Sequence, residues 1–310
     1  MKKAIVSGAD GFIGRHLVKK LLAKGVEVWA IVYPGSPLKD CYAGVEHVHT
    51  VCVEVDDLPQ CIAQFPRDAE AFYHFAWQGV NAESRGDLAL QMKNIPLTMD
   101  CMRFTRAIGA RKFILPGSTS EYLEYGRPIN RDALPSPQNA YGSVKVALRY
   151  LATSYAEELG LGLIYAVITG IYAADRKDNN VIFYVIDKLL RGEKPSVTKL
   201  EQRWDYVYID DATEALYLIG EKGIPGSFYT IGHGDNQPLS QYIEDIRRCI
   251  DPSLPLGIGE VPYKNDRLPS SCVDLTDLVR DTGYAPKVAF SEGIQAVIAA
   301  MRAEQQDLRS

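Results

Sequence analysis

An alternation of short β-branched runs with amphipathic stretches fills the first half of the chain and constrains the fold more than any other feature. Apolar runs at 4–6 and 26–32 flank a stretch, 15–24, whose apolar residues recur at helical spacing. Further strand-like runs lie at 45–55, 71–76, 112–115 and 162–168, with helical stretches between them at 58–64, 87–108 and 143–159. Because strands that alternate with helices form parallel sheets covered on both faces, the pattern predicts an α/β protein with a doubly wound parallel sheet.

The alternation breaks after Ile168. Segments 169–202 and 235–300 are mostly loop and helix, and the intervening segment 203–234 returns to a strand–helix–strand pattern. We therefore predict a sheet domain of residues 1–168 plus 203–234, and a smaller, discontinuous C-terminal lobe of residues 169–202 plus 235–300.

Composition excludes several classes of function. The 310 residues carry a formal net charge of −5 with a pI near 5.6, so there is no electrostatic case for nucleic-acid binding. No apolar run approaches the roughly 20 residues that a membrane span needs, and the first residues lack the apolar core of a signal peptide. The six cysteines form no Cys-x-x-Cys pair, which favours reduced thiols over a metal site or a disulfide framework. We therefore expect a cytoplasmic protein with no metal.

A glycine-rich turn joins the first predicted strand to the first predicted helix. Gly8, Gly11 and Gly14 are spaced Gly-x-x-Gly-x-x-Gly around Phe12 and Ile13. A plain turn can also collect glycines, but in this position the backbone N–H groups and the helix N-terminus suit a pyrophosphate. The turn therefore predicts a dinucleotide site in which these five residues contact the cofactor.

The end of the second strand bears on which dinucleotide binds. An acidic residue there accepts a hydrogen bond from the ribose 2′-hydroxyl of NAD, but Val32 and Tyr33 occupy the place. Because an acid would repel a 2′-phosphate, its absence favours NADP(H), although NAD(H) stays possible. Tyr33, Ser36 and Lys39 are the candidate contacts, and the alternative is that they are ordinary loop residues.

A tyrosine and a lysine four residues apart open a predicted helix. Tyr141 and Lys145 share one helix face, and a nearby ammonium favours ionisation of a phenol whose ordinary pKa is roughly 10. Upstream, the run at 112–115 leads to Ser118, a hydroxyl at the mouth of the predicted sheet. The three residues together predict proton exchange with a reacting oxygen, rather than a purely structural set.

These features together resemble the extended short-chain dehydrogenase/reductase family of nucleotide-sugar epimerases, dehydratases and ketoreductases. The resemblance spans Lys3 to about Ile298 and rests on the glycine turn, segments 73–76, 118–122 and 204–211, Asn94, Tyr141 and Lys145. It implies a Rossmann fold that binds the cofactor, with the smaller lobe binding the substrate. It also implies an enzyme in which Tyr141 exchanges the proton, Lys145 holds the cofactor ribose and lowers the tyrosine pKa, and Ser118 orients the sugar oxygen.

The resemblance extends to residues around this set. It places Phe75 and Ala76 beside the cofactor and gives Asn94 a supporting role toward Lys145, the alternative being an ordinary polar residue within a helix. Thr119 is a further substrate contact. Ser118 is preferred to Thr119 as the reacting hydroxyl because it lies four residues before Tyr122, where the catalytic hydroxyl of the family usually stands.

Departures from the family pattern narrow the reaction. Thr119 and Ser120 occupy the places of the Asp-Glu pair of 4,6-dehydratases, and Ser120 also occupies the place of the glutamate of sugar-acid decarboxylases. The sequence therefore argues against both of these reactions.

Three residues fall where the family binds the diphosphate of its substrate: Asn180, Arg203 and Lys264. Their side chains donate hydrogen bonds, which suits a dianion.

The leading hypothesis is an NADPH-dependent reductase of a nucleoside-diphosphate 4-keto-6-deoxy sugar. A nucleotide-sugar 4-epimerase that retains its cofactor is the alternative, since both reactions use one hydride and one proton at the same residues. A non-catalytic nicotinamide-binding sensor is the third hypothesis, and the complete set of Ser118, Tyr141 and Lys145 argues against it. The resemblance also implies a homodimer packed through the helix at 87–108 and the helix that bears Tyr141. The methionines of the first helix could serve this interface, although a methionine stripe at helical spacing is more often part of a core.

Overall fold

The computed structural model describes residues 1–122, 127–176, 180–263 and 270–307. Thirteen strands in this part of the chain are β1 Lys3–Ser7, β2 Glu27–Val32, β3 Val48–Cys52, β4 Ala71–His74, β5 Lys112–Ser118, β6 Gly162–Ile168, β7 Gly170–Tyr172, β8 Ser196–Val197, β9 Arg203–Trp204, β10 Tyr206–Tyr208, β11 Phe228–Ile231, β12 Gln237–Pro238 and β13 Gly257–Ile258. The α-helices are α1 Phe12–Ala23, α2 Leu88–Met92, α3 Asn94–Ala107, α4 Ala140–Leu159, α5 Val181–Leu190, α6 Ile209–Lys222, α7 Leu239–Ile250, α8 Thr276–Thr282 and α9 Phe290–Asp307.

Seven parallel strands form the central sheet, in the order β11-β6-β5-β4-β1-β2-β3. The order reverses between β1 and β4, so the carboxyl ends of these two strands flank the crevice where open α/β sheets bind ligands. One apolar cluster packs α1 and α6 against one face of the sheet, and a second packs α3 and α4 against the other. The predicted doubly wound Rossmann sheet is confirmed.

A third apolar cluster, here called the lobe cluster, lies outside the sheet. Its buried side chains come mainly from 172–200, 239–246 and 290–301 and include members of α5, α7 and α9. The buried carboxylate of Asp205 accepts hydrogen bonds from the backbone N–H groups of His233 and Gly234, each at 2.7 Å. This carboxylate therefore ties the start of β10 to the loop after β11. The division into two domains stays a prediction.

Several element boundaries differ from the predictions. The helix predicted over 87–108 is interrupted at Lys93, and α3 begins with Asn94. The stretch at 58–64 belongs to a 3₁₀ segment, Val55–Gln64, that contains Pro59. Helix α4 begins at Ala140 rather than 143, because the side-chain oxygen of Asn139 caps it by accepting from the Gly142 N–H at 2.8 Å.

All six cysteines are unpaired, and Cys101 and Cys272 are buried. Across the described ranges no group of three or more His, Cys, Asp or Glu side chains is placed to hold a metal ion. No helix within those ranges combines the length and the apolar character needed to cross a bilayer.

Candidate active site

The glycine turn packs directly against the end of β4. Gly8 has φ +66°, and a Cβ there would lie 2.7 Å from the backbone nitrogen of Ala76. A Cβ on Gly14 would lie 2.1 Å from the carbonyl oxygen of Gly8, so neither position accepts a side chain without displacement. Gly11 precedes α1 without a side-chain cap. This turn fits a pyrophosphate, whose oxygens would accept from the first N–H groups of α1, at Phe12 and Ile13.

The backbone beside this turn is fixed by Ser7. Its carbonyl oxygen accepts from the Phe75 N–H at 3.0 Å, and its hydroxyl lies 3.4 Å from the nitrogen of Ala76. The structure therefore brings Phe75 and Ala76, predicted from the resemblance, to the same crevice as the glycine turn.

An acidic side chain from the glycine turn lies near the end of β2, and it was not predicted from the sequence. Tyr33 and Lys39 are exposed, and Ser36 is half-buried, with its hydroxyl accepting from the Leu38 N–H at 3.1 Å. The Asp10 carboxylate lies against this strand end, 3.4 Å from the backbone nitrogen of Tyr33. The glycine turn, rather than β2, thus supplies a negative charge near the end of β2.

Ser118, Tyr141 and Lys145 meet at the carboxyl end of β5. Ser118 ends this strand, whereas the other two lie in the first turns of α4. The side chain of Ser118 hydrogen-bonds Tyr141, and this bond opposes the burial that raises the tyrosine pKa. Thr119 follows immediately in a short 3₁₀ turn. The three residues predicted from spacing and resemblance are therefore neighbours in space.

Lys145 is a buried cation with two partners. Its Nζ donates to the carbonyl oxygen of Pro116 at 2.9 Å and lies 3.5 Å from the centre of the Trp77 ring. Burial lowers the pKa of Lys145, whereas the nearby carboxylate of Glu121 opposes this shift. A lysine in such a place retains its charge only through the groups around it.

Tyr141 lies between an aromatic edge and a cation. The Trp77 ring meets it at right angles, with centroids 5.8 Å apart, and the Arg85 guanidinium lies 5.2 Å from its ring centre. Arg85 also opposes the burial-driven rise in the Tyr141 pKa. The arrangement can stabilise a phenolate that forms when the tyrosine gives up its proton.

Asn94 anchors the segment that carries Trp77. Its Oδ1 accepts from the Gln78 N–H at 2.7 Å, and its Nδ2 donates to the carbonyl oxygens of Gln78 and Gln91. The contacts described for this buried amide thus reach the backbone beside Trp77, which in turn packs on Lys145. Support for Lys145 through the backbone remains a prediction, and these contacts are compatible with it.

His74 is a structural neighbour of this set. Its ring nitrogens lie 2.9 Å from the Ser7 hydroxyl and 3.0 Å from the Thr98 hydroxyl. Burial, followed by the charge of Lys145, lowers the pKa of His74 to about 3. The ring is therefore neutral at ordinary pH and joins β4 to β1 and α3.

Two of the three predicted diphosphate contacts, Asn180 and Arg203, lie in the described part of the chain. Asn180 caps α5, accepting from the Ile182 N–H at 3.0 Å, and lines a cavity of about 870 Å³ beside the lobe cluster. Arg203 is exposed on β9 and is not among the residues lining this cavity. Lys264 lies outside the described residues.

Comparison with known proteins places this geometry in a family. Residues 4–232 match the model of the NAD dependent epimerase/dehydratase family, which covers the sheet, the glycine turn and the Tyr141 helix. The chain belongs to this family. It is an NAD(P)-dependent enzyme of the extended short-chain dehydrogenase/reductase type.

Two curated relatives modify nucleotide sugars, by their names. The chain is 23% identical to CDP-abequose synthase of Salmonella muenchen over 301 residues, which cover 96% of this chain and 97% of the relative. It is 29% identical to the NAD⁺-linked dTDP-6-deoxy-L-talose 4-dehydrogenase of Aggregatibacter actinomycetemcomitans over 233 residues, covering 71% and 82%. Among solved structures, a UDP-glucuronic acid 4-epimerase of Bacillus cereus superposes with a TM-score of 0.82 at 20% identity, covering 97% and 99% of the two chains. This last similarity shows the fold.

Glu121, Trp77 and Arg85 were not predicted from the sequence. Glu121 had one local signal, because Ser118-x-x-Glu121 is the spacing of a capping box, and the structure forms that box. The other two come from the loop after β4 and reach Lys145 and Tyr141 only through tertiary packing.

Proposed function

We propose that this enzyme reduces the 4-keto group of a nucleoside-diphosphate 4-keto-6-deoxy sugar. The observation that carries the proposal is the convergence of Ser118, Tyr141 and Lys145 at the carboxyl end of β5, beside the glycine turn that fits a dinucleotide. A bound nicotinamide cofactor would supply the hydride to the ketone carbon. Residues of the protein then orient and protonate the ketone oxygen.

In the proposed reaction Tyr141 gives its proton to the oxygen that becomes the hydroxyl. Ser118 donates a hydrogen bond to the same oxygen and orients it. The ammonium of Lys145, with the guanidinium of Arg85 over the tyrosine ring, stabilises the resulting phenolate. Proton transfer from a positioned group of this kind contributes roughly 10² to 10⁴ in rate.

The name of one relative supports chemistry at the 4-position of a 6-deoxy sugar, and the name of the other supports a nucleotide sugar as substrate. One is a 4-dehydrogenase of a dTDP-6-deoxy sugar, and the other is a synthase of a CDP-linked sugar. The position after Ser118 offers no Asp-Glu pair for dehydration. The carboxylate of Glu121 does not replace that pair, because it is buried and bonded to Ser118 and Tyr165.

For the cofactor we propose NADPH in preference to NADH. Support comes from the absence of an acid at Val32 and Tyr33 and from the cationic Lys39 in the following loop. Asp10 favours NADH instead, because its carboxylate lies at the end of β2 and would repel a 2′-phosphate. The ratio of the dissociation constants for NADPH and NADH will show which of these two charges dominates.

The residues predicted from the sequence also carry proposals about the substrate and the assembly of the enzyme. We propose that Asn180 and Thr119 contact the nucleotide sugar, and that Arg203 reaches it as an exposed cation from β9. The homodimer stays a prediction; Met92 on α2 is about half exposed, but Met102 on α3 is fully buried and belongs to the core. A cytoplasmic location also stays a prediction.

The decisive experiment measures NADPH absorbance with purified enzyme and a panel of nucleoside-diphosphate 4-keto-6-deoxy sugars. Stoichiometric loss of NADPH with one of them supports the proposal and identifies the nucleotide and sugar. Conversion of a 4-hydroxy nucleotide sugar into its epimer without added reductant, and no NADPH loss with any ketone, replaces the reductase with a 4-epimerase. Tight nicotinamide binding with neither reaction would favour a non-catalytic sensor.

A further inference from the structure

A carboxylic acid lies buried directly behind the proposed active site. Glu121 is fully buried, its Oε1 accepts from the Ser118 N–H at 2.6 Å and from the Tyr165 hydroxyl at 2.8 Å. Its Oε2 is buried without a hydrogen-bond partner in the described part of the chain. The capping box explains the first bond, but it does not explain why the acid is removed from water.

The local packing turns this side chain away from the cleft. A Cβ at Gly117 would lie 2.9 Å from the Glu121 Oε1 and 2.5 Å from a ring carbon of Tyr165, so glycine leaves the space that both side chains fill. The Tyr165 hydroxyl is also 3.3 Å from the carbonyl oxygen of Lys145. Glu121 therefore lies between β5, β6 and α4, on the inner side of the helix that carries Tyr141 and Lys145.

The groups that face Glu121 are mostly cationic or phenolic. Helix α4 contributes Lys145, Arg149 and Tyr141, strand β6 contributes Tyr165, and Tyr122 is the next residue in the chain. Burial raises the pKa of Glu121, and the two cations oppose that rise. Burial lowers the pKa of Lys145, and Glu121 opposes that fall. Each group thus supports the charge of the other.

We propose that Glu121 is a positioning residue that keeps Lys145 protonated and fixes the backbone of Ser118. This inference rests on the proposed function. One carboxylate would then prepare two members of the active set without touching the substrate. Because Glu121 and Lys145 are both buried, a single negative charge near the lysine has a large effect on its protonation. Turnover is fastest with Glu121 ionised and Lys145 protonated, and it falls without ceasing when either group changes its charge, so the pair limits activity on both the acid and the alkaline side.

The test compares pH–rate profiles of wild type and Glu121→Gln. The amide keeps an acceptor for the Ser118 N–H but removes the charge. We expect the acid limb due to this carboxyl to disappear and the alkaline limb to move to lower pH by about one unit, because Glu121 raises the pKa of both Lys145 and Tyr141. A uniform loss of kcat with both limbs unmoved would overturn the proposal and leave Glu121 a structural cap.

Two further variants make the result specific. Tyr165→Phe keeps the Glu121 charge but removes a donor that lowers its pKa, so the acid limb should move to higher pH. Glu158→Gln, which removes an exposed carboxyl from the same helix, should leave both limbs in place. Limbs that move equally in Glu158→Gln would show a general charge effect and would contradict the proposal.

A measurement without substrate separates this inference from the proposed function. In cofactor-free protein, the stability of Glu121→Gln should rise relative to wild type as the pH rises from 4.5 toward about 7. Over this range the carboxyl of wild type, whose pKa is raised on folding, loses its proton more readily in the unfolded chain, and the variant's unbalanced lysine loses its proton more readily in the folded one. A stability difference that does not change with pH would contradict a shared charge. This result holds whether the enzyme proves to be a reductase, an epimerase or a sensor.

Discussion

The Nζ of Lys145 lies 3.5 Å from the centre of the Trp77 ring, on the face of the indole. A desolvated cation on an aromatic face gains about 2 kcal/mol, which offsets part of the loss of hydration that burial imposes. Trp77 belongs to the loop after β4, so the position of that loop bears directly on the lysine that tunes Tyr141.

We therefore expect the aromatic face at position 77 to matter more than its volume. Trp77→Leu should lower kcat/KM about tenfold, equivalent to the loss of about 1.4 kcal/mol, whereas Trp77→Phe should lower it two- to threefold. Steady-state kinetics on the substrate found in the panel give both values. Equal losses in the two variants would mean that the indole acts by packing alone.

Tyr141→Phe removes the proposed proton donor and keeps the ring. Turnover should fall by roughly 10² to 10⁴, while the dissociation constant of NADPH, followed by fluorescence, should change less than about threefold. Tyr150→Phe removes an exposed hydroxyl from the same helix and serves as the control. Activity that survives in Tyr141→Phe would refute the role given to this residue.

The close approach at the glycine turn predicts a selective loss of cofactor binding. In Gly14→Ala the new methyl group would meet the Gly8 carbonyl oxygen at 2.1 Å, so the turn must move. We expect at least a tenfold weaker cofactor affinity by titration calorimetry, together with a lower melting temperature. Gly86→Ala, where a Cβ meets no atom within 4 Å, should leave both unchanged. Unaltered affinity in Gly14→Ala would argue against the turn as the pyrophosphate site.

His74 predicts a loss of stability in acid. Its pKa falls from the usual 6.5 to about 3 in the folded protein, so the unfolded chain binds the proton more readily in between. Stability should therefore fall as the pH drops from 6.5 toward 3, by up to about 1.4 kcal/mol per pH unit. Urea unfolding of His74→Gln should therefore show a shallower acid dependence than that of wild type. Parallel curves for wild type and His74→Gln would contradict this assignment.

Two opposite charges at the end of β2 predict opposite shifts in cofactor preference. Lys39→Ala should weaken NADPH binding several-fold and leave NADH binding nearly unchanged, because only NADPH carries the 2′-phosphate. Asp10→Asn should shift the preference toward NADPH, since it removes a carboxylate from the same region. Fluorescence titration with both cofactors measures each ratio. A wild type that binds NADH more tightly would overturn the proposed preference for NADPH.

The sheet could be predicted because periodicity is local. The strand and helix patterns before Ile168 gave the parallel Rossmann sheet, and the Tyr141/Lys145 spacing placed both residues on one helix. The break between α2 and α3 was missed, because Asn94 contacts the backbone of Gln78 and Gln91, and no periodic pattern records such contacts.

The surroundings of the site were harder to predict than its core set. Trp77 and Arg85 reach Lys145 and Tyr141 from the segment after β4, and Asp10 reaches the end of β2 from the glycine turn. Glu121 reads in sequence as a capping residue, and only the packing of β5, β6 and α4 shows that its carboxylate is buried. Burial and through-space charge depend on tertiary structure, so spacing alone does not reveal them.

The lobe cluster also has a consequence for how such an enzyme changes over time. Its apolar side chains come mainly from three separated stretches of chain, and β11 of the central sheet lies between the first two. No single crossover between two relatives could exchange this region as an intact cassette without also replacing β10, α6 and β11. Given the substrate-binding role predicted for this lobe, new substrate preferences are expected to arise by substitutions within a fixed scaffold, rather than by exchange of a complete binding module.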